Sequence, residues 1–181
     1  YEKHSPNKKY DLIYCVNVFE HVKDWRHFIC WASANLNHSG TFLVLCPNYG
    51  FPYESHFQIP VIVNKNLTYK IFKKHIQNFE KKNDYIGMWE SINFVKKKEV
   101  QKFINQKKKF LNFEMNDDIS IIDNILNRVK HDQEFRKRQS FIGKIAVLLE
   151  KIGILSLIKL TPNYIPYMKI SFIKKYKDNA L

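Results

Sequence analysis

The sequence predicts an α/β fold, and three observations carry that prediction. Two short apolar runs rich in β-branched and aromatic residues, Tyr10–Val16 and Thr41–Cys46, read as strands buried on both faces. An amphipathic stretch lies between them. With 181 residues the chain is long enough for one domain with a real core. Strand, helix, strand is a βαβ unit, so the two strands should be parallel with a right-handed crossover.

The first strand, Tyr-Asp-Leu-Ile-Tyr-Cys-Val, is entered through Lys8 and Lys9. Asp24 is placed to cap the next helix, whose stripe is Trp25, Phe28, Ile29, Ala32 and Leu36. Asn37-His-Ser-Gly40 should end it, with Gly40 in the C-cap region. The second strand stops at Pro47-Asn48. Residues Asn64 to Asn83 read as a helix with Leu67, Ile71, Phe72, Ile76 and Phe79 on one side. Gly87 to Ser91 is a break, Lys97 to Gln106 a helix, and Phe110 to Met115 a short strand. Ile119 to Arg138 and Ser140 to Ile152 read as two further helices. Pro162 and Pro166 bracket an irregular link, and Tyr167 to Lys175 alternates like a final strand. There is no internal repeat and no flexible linker.

The formal net charge is +13. The excess is almost all lysine, with arginine only at Arg26, Arg128, Arg136 and Arg138. Bidentate recognition of phosphate or guanine favours arginine, which argues against a nucleic-acid partner and for a solvated lysine-rich surface. Cys15, Cys30 and Cys46 lie in apolar stretches without metal-site spacing. They read as core residues of a reduced, cytoplasmic protein. The most apolar window, Phe141 to Leu160, is interrupted by Lys144, Glu150, Lys151 and Lys159, so no membrane span is expected. The first residue is Tyr1 rather than Met, and the chain is read as a piece of a longer protein.

In an open α/β sheet, ligands bind beyond the carboxyl ends of the strands. Asn17 to Lys23 and Pro47 to Pro60 occupy those ends. The segment Tyr10-Asp-Leu-Ile-Tyr-Cys-Val-Asn-Val-Phe-Glu-His-Val22 resembles the fourth strand and following loop of class I S-adenosylmethionine-dependent methyltransferases. The helix and Gly40-Thr-Phe-Leu-Val-Leu45 resemble the next helix and fifth strand of that family. Pro47-Asn-Tyr-Gly-Phe-Pro-Tyr-Glu-Ser-His-Phe-Gln-Ile-Pro60 resembles a bacterial branch associated with glycan and surface-polysaccharide biosynthesis. Trp89-Glu-Ser-Ile-Asn-Phe94 and Pro166-Tyr-Met-Lys-Ile170 are similar to later blocks of that branch.

The resemblance implies a partial Rossmann-like methyltransferase sheet with a helical insertion before the last strand. It implies one incomplete domain over residues 1–181, the C-terminal part of the whole. Family members hold the cofactor with a glycine-rich loop, and the five glycines here stand too far apart to form one. The half with that loop is therefore expected upstream, and the fragment alone should be inactive and bind cofactor poorly. The implied function is methyl transfer from S-adenosyl-L-methionine to a small-molecule or glycan-type acceptor in the intact parent. The competing classes are a degenerate, non-catalytic methyltransferase-like module and a basic RNA-binding fragment.

By resemblance, Asn17, Val18 and Phe19 line the cofactor pocket. Glu20 and His21 have two readings. In some small-molecule O-methyltransferases with this pattern such residues bind a divalent ion or meet the substrate. A further acidic residue is expected at position 17, where this chain has Asn17, so the ligand set is incomplete and no metal is expected. The structural alternative has Glu20 favouring the dipole of the Asp24 helix and His21 bonding locally. His56, flanked by Tyr53, Glu54 and Phe57, is the stronger candidate base for a hydroxyl acceptor, with His21 as its catalytic companion. Its alternative is a loop histidine bonded to the backbone. Glu20, Tyr49 and Tyr53 are the candidate acceptor contacts, although the two tyrosines suit a small satellite core equally. Ser140 to Leu160 should cap the substrate side, with peripheral membrane contact as its other use.

Overall fold

The computed structural model describes residues 8–175. Strand β1 (Tyr10–Val16) leads through a 3-10 turn (Phe19–His21) into helix α1 (Trp25–Asn35) and strand β2 (Leu36–Pro47). A two-stranded ribbon, β3 (Tyr53–Glu54) and β4 (Ile59–Pro60), precedes the long helix α2 (Lys65–Asn83). Helices α3 (Met88–Ser91), α4 (Lys97–Gln106) and α5 (Lys108–Leu111) lead to strand β5 (Phe113–Asp117). Helices α6 (Ile121–His131), α7 (Gln133–Arg138) and α8 (Ser140–Lys151) form the insertion before the last strand, β6 (Tyr167–Lys174).

The sheet runs β1-β2-β6-β5. β1 and β2 are parallel, as the βαβ pattern requires, and β6 runs antiparallel to both its neighbours. Met168, Ile170 and Phe172 are fully buried while their alternate neighbours are only partly so, which is the period-two pattern of a half-buried strand. The central core joins Phe28, Ile29, Phe42, Val44, Ile104 and Phe172. A second cluster, around Phe57, Ile76, Trp89 and Ile92, packs α2 and α3 under the ribbon. A third, around Ile122, Leu126, Val129 and Ile165, holds the α6–α8 cap.

Asp24 caps α1, its side chain accepting from the His27 N–H at 2.9 Å. Asn64 caps α2 in the same way through Leu67. Cys15 and Cys46 are buried and all three thiols are free; burial pushes the Cys15 pKa up to about 11. Among the described residues, no helix is long and apolar enough to cross a membrane.

Several expectations are corrected. β1 is not buried on both faces: only Cys15 is buried, while Leu12, Tyr14 and Val16 are exposed. The reason is topological, because β1 is the terminal strand of the described sheet. Gly40 is not a helix cap. α1 ends at Asn35, and Gly40 lies inside β2, where a Cβ would come within 2.9 Å of the Tyr10 carbonyl. A bulge permits this, since the register jumps between Tyr10↔Leu36 and Leu12↔Thr41. The stretch from Ile119 to Arg138 is two helices, because the Asp132 side chain accepts from the Phe135 N–H and starts α7. Phe110 and Leu111 belong to α5, and the strand begins at Phe113. Leu67 and Ile71 of α2 are exposed, leaving Ile76 as the buried anchor.

Candidate active site

Two loops meet at the carboxyl ends of β1 and β2. In the first, Asn17 takes a left-handed conformation (φ 52°) and its N–H donates to the Leu45 carbonyl at 2.8 Å, ending β1. Phe19 then plugs into the core against Trp25 and Phe42. This anchor fixes the following Glu20 and His21 at the sheet edge. In the second loop, Asn48 is a buried hub. Its amide donates to the carbonyls of Asn163 and Ile165, and its oxygen accepts from the N–H groups of Gly50 and Lys97.

The Glu54 carboxylate is fully buried and organises the rest of the second loop. Its Oε1 accepts from the Tyr49 hydroxyl (3.0 Å), the His56 N–H (3.2 Å) and His56 Nδ1 (2.7 Å). Its Oε2 accepts from the Phe57 N–H at 2.6 Å. Sequence reasoning placed Glu54 only as a neighbour of His56. The local spacing Glu-x-His was a signal, since a carboxylate two residues from a histidine in a tight turn can reach both its backbone and its ring.

Glu20, His21 and His56 come together, with one potential ligand atom from each lying within 4.8 Å of the others. The two imidazoles meet edge-on, 5.7 Å between centroids. His56 Nδ1 is held by Glu54, and His56 Nε2 stands 4.0 Å from Glu20 Oε1. His21 Nδ1 is 2.9 Å from Ser91 Oγ. The single Ser91 hydroxyl hydrogen goes to the Met88 carbonyl at 2.7 Å, so His21 Nδ1 must be the donor to Ser91. In its neutral form each ring therefore carries its proton on Nδ1 and its lone pair on Nε2. Glu20 is fully buried, and among the described residues no other residue hydrogen-bonds either carboxylate oxygen; its own backbone N–H helps to hold the charge. The α1 N-terminus is capped by Asp24.

Charge in the cluster follows from this packing. Burial raises the Glu20 pKa; its own backbone N–H and the His56 charge oppose this, and the Glu54 charge adds to it. Burial and the His56 charge lower that of His21. For His56, burial works against the imidazolium, but the Glu54 hydrogen bond and charge, with Glu20 behind, outweigh it and raise the pKa.

The other expected site residues are placed as follows. Tyr49 is buried and stacked on Phe94, 4.3 Å between centroids, with its hydroxyl spent on Glu54. Tyr53 donates to the Gln139 carbonyl at 3.3 Å. Val18 is exposed at the end of β1, whereas the Phe19 side chain belongs to the core. Tyr53, Ser55 and Asn17 line a cavity of about 420 Å³ between the strand ends and the helical cap. Phe51, Ile125, Val129 and Tyr167 are among its other walls.

Comparison with known proteins gives three kinds of match. A family described as methyltransferase domain matches residues 1–96, just over half the chain. Two uncharacterised proteins, from two strains of Mycobacterium tuberculosis, are each 33% identical over 96 residues, covering 53% of this chain and 33% of theirs. The matched segment thus spans about a third of the length of these relatives. Two structures of Haemonchus contortus phosphoethanolamine N-methyltransferase 2 also align. One, in complex with S-adenosyl-L-methionine, has a TM-score of 0.42 at 12% identity, over 92% of this chain and 34% of that one. The other, with phosphomonomethylethanolamine and S-adenosylhomocysteine, has a TM-score of 0.44 at 13% identity, over 96% and 35%. With a family match across β1, α1, β2 and both loops at the strand ends, the chain belongs to the methyltransferase-domain family.

Proposed function

We propose that the protein of which this chain is part transfers a methyl group from S-adenosyl-L-methionine to a hydroxyl of a small-molecule or glycan-type acceptor. The observation that carries the reading is the meeting of Glu20, His21 and His56 beyond the carboxyl ends of two adjacent parallel strands, in a chain of this family. Methyl transfer is an in-line displacement at a sulfonium carbon, so the acceptor must be aligned and its hydroxyl relieved of a proton. Three converging acceptor atoms are a place for that proton to be drawn off. We assign the body of the acceptor to the cavity beneath the α6–α8 cap, walled by Tyr53, Ser55 and Asn17, with His56 next to Ser55 in the chain.

The described residues fit the cofactor in part. Asn17 and Val18 stand at the end of β1, whose far edge has no strand against it among the described residues. No glycine-rich loop is present to approach a cofactor closely. We infer that further strands of the parent dock on β1 and supply that loop, Asn17, Val18 and the Phe19 backbone forming the near wall.

The test is methyl transfer by the full-length parent with labelled cofactor and a panel of hydroxylated acceptors. His56→Ala should lower turnover by about two to four orders of magnitude with cofactor affinity nearly unchanged. A variant that is folded, equally stable and fully active would overturn the reading. Tight cofactor binding by this chain alone in calorimetry would remove the need for the docked strands.

A further inference from the structure

We propose that the outer face of α8 and of the 3-10 turn that follows it (Leu155–Leu160) docks on an anionic membrane surface. Lys144, Leu148, Lys151 and Ile152 recur at helical spacing along α8 and its C-cap, and all four are exposed. Gly153, in a left-handed conformation (φ 74°), turns the chain. Ile154, Leu157, Lys159 and Leu160 beyond it are exposed as well. The other side of the same segment is already used, since Ala146, Leu149, Leu155 and Ile158 pack into the third core cluster. The segment is therefore amphipathic in an unusual sense, with one apolar side in the core and a second, studded with lysine, in water. A row of large aliphatic side chains left exposed on a folded domain marks an interaction site.

Two features select a bilayer over another protein. Lysines stand within the apolar row rather than around it, and the cores of protein interfaces are depleted in lysine. At a bilayer, the long lysine stems lie along apolar surface and carry their charge up to the headgroups, while the aliphatic side chains enter the acyl boundary. The charge also has the right sign. Each acid of the cap is paired within the fold: Asp132 with Arg128, Glu134 with Lys137, Glu150 with Lys130, and Asp123 with Lys159. Lys144 and Lys151 have no ion pair among the described residues, so their charge is left for anionic headgroups. The docking surface belongs to the same cap as the cavity assigned to the acceptor, whose walls include Ile142, Ala146 and Leu155. A docked cap thus brings that cavity to the bilayer, where an acceptor carried on a lipid can reach it. That last step rests on the methyl-transfer reading; the docking does not.

Flotation of the full-length parent with lipid vesicles tests this. The wild type should float with vesicles of phosphatidylcholine mixed with phosphatidylglycerol, and bind roughly tenfold or more weakly to phosphatidylcholine alone. Salt at about 0.5 M should weaken binding to the mixed vesicles several-fold by screening the lysines. Lys144→Gln with Lys151→Gln should weaken it roughly twentyfold, on the order of fivefold for each lysine. Leu148→Ser with Leu157→Ser should weaken it by roughly tenfold or more. All four side chains are exposed, so thermal unfolding should not change. Leu67→Ser with Lys70→Gln, the same exposed chemistry on α2, should leave binding as it was. Methyl transfer to a soluble acceptor should be equal in the wild type and the cap variants, so a failure of docking and a failure of the methyl-transfer reading are told apart. No flotation of the wild type, or flotation indifferent to the cap substitutions, would overturn the inference. Cap substitutions that alter only the oligomeric state in sedimentation would also overturn it, by assigning the surface to a second copy of the chain.

Discussion

Replacing Glu54 by glutamine keeps the shape of the side chain and removes one acceptor. The carboxylate serves four donors, three on Oε1 and one on Oε2. An amide can present its oxygen to only one side. Facing the three donors, it turns its NH2 against the Phe57 N–H, now 2.6 Å from a carboxylate oxygen, and leaves that buried donor without a partner. Facing Phe57, it abandons the His56 N–H, the His56 ring and the Tyr49 hydroxyl, which costs more. The first arrangement wins. An orphaned buried donor costs about 1–3 kcal/mol, and the remaining bonds lose the assistance of the charge. The net loss should be about 2–3 kcal/mol. For a chain of this size that lowers Tm by about 5–10 °C. Urea and thermal unfolding measure it. A loss below about 0.5 kcal/mol would refute the view that Glu54 holds the second loop together.

Three further outcomes are expected. Lys97 is fully buried, donates to the Pro162 carbonyl and pairs with Asp117, so Lys97→Met should cost about 3 kcal/mol in urea unfolding by stranding both; a change under 1 kcal/mol would contradict this. Asp118 pairs with Lys169 and its folded pKa is lowered to about 2, so its stabilisation is complete above the unfolded carboxylate value and fades as pH falls toward 2. Because the pair is partly solvent-exposed, Asp118→Asn should cost under about 1 kcal/mol at pH 7 and clearly less at pH 2, where the carboxyl is half protonated, and an equal cost at both would be inconsistent with the pair. Leu12, Tyr14 and Val16 are exposed on a terminal strand, so the chain alone should self-associate at tens of micromolar in sedimentation and Tyr14→Lys should reduce it; a monodisperse wild type would count against that.

Much of this was legible in the sequence, for identifiable reasons. The βαβ unit announced itself because Val44 and Cys46 of β2 and Ile29 and Ala32 of α1 are apolar for one cause, burial in a shared core. The last strand was visible in the alternation of Met168, Ile170 and Phe172. Gly40 misled because Asn-His-Ser-Gly carries turn chemistry, whereas here those residues continue β2 across a bulge that only the partner strand reveals. The exposed side of β1 was illegible because an apolar run does not say how many neighbours a strand has. At the site, His56 could be found from its position after a strand. Its partnership with Glu20 and His21 could not, because two loops must first be folded to one edge. Ser91 was further from view, 70 residues from the imidazole it orients.

The place of β6 has a consequence for how the chain is made. The strand nearest the C-terminus sits in the interior of the sheet, bonded to β2 on one side and β5 on the other. Val44 pairs with Ile170, so β2 must wait for more than a hundred further residues before one edge is closed. At the usual pace of translation that wait is on the order of ten seconds. Throughout it, the nascent chain carries the apolar edge of β2 open to the cell, and β5 has no partner to fold onto. Loss of the final nine described residues would cut the sheet in two rather than trim its border. A stop codon or protease cut just before Tyr167 should therefore be as damaging as a deletion in the core, and chaperone dependence should be concentrated in the interval between synthesis of β2 and release of β6.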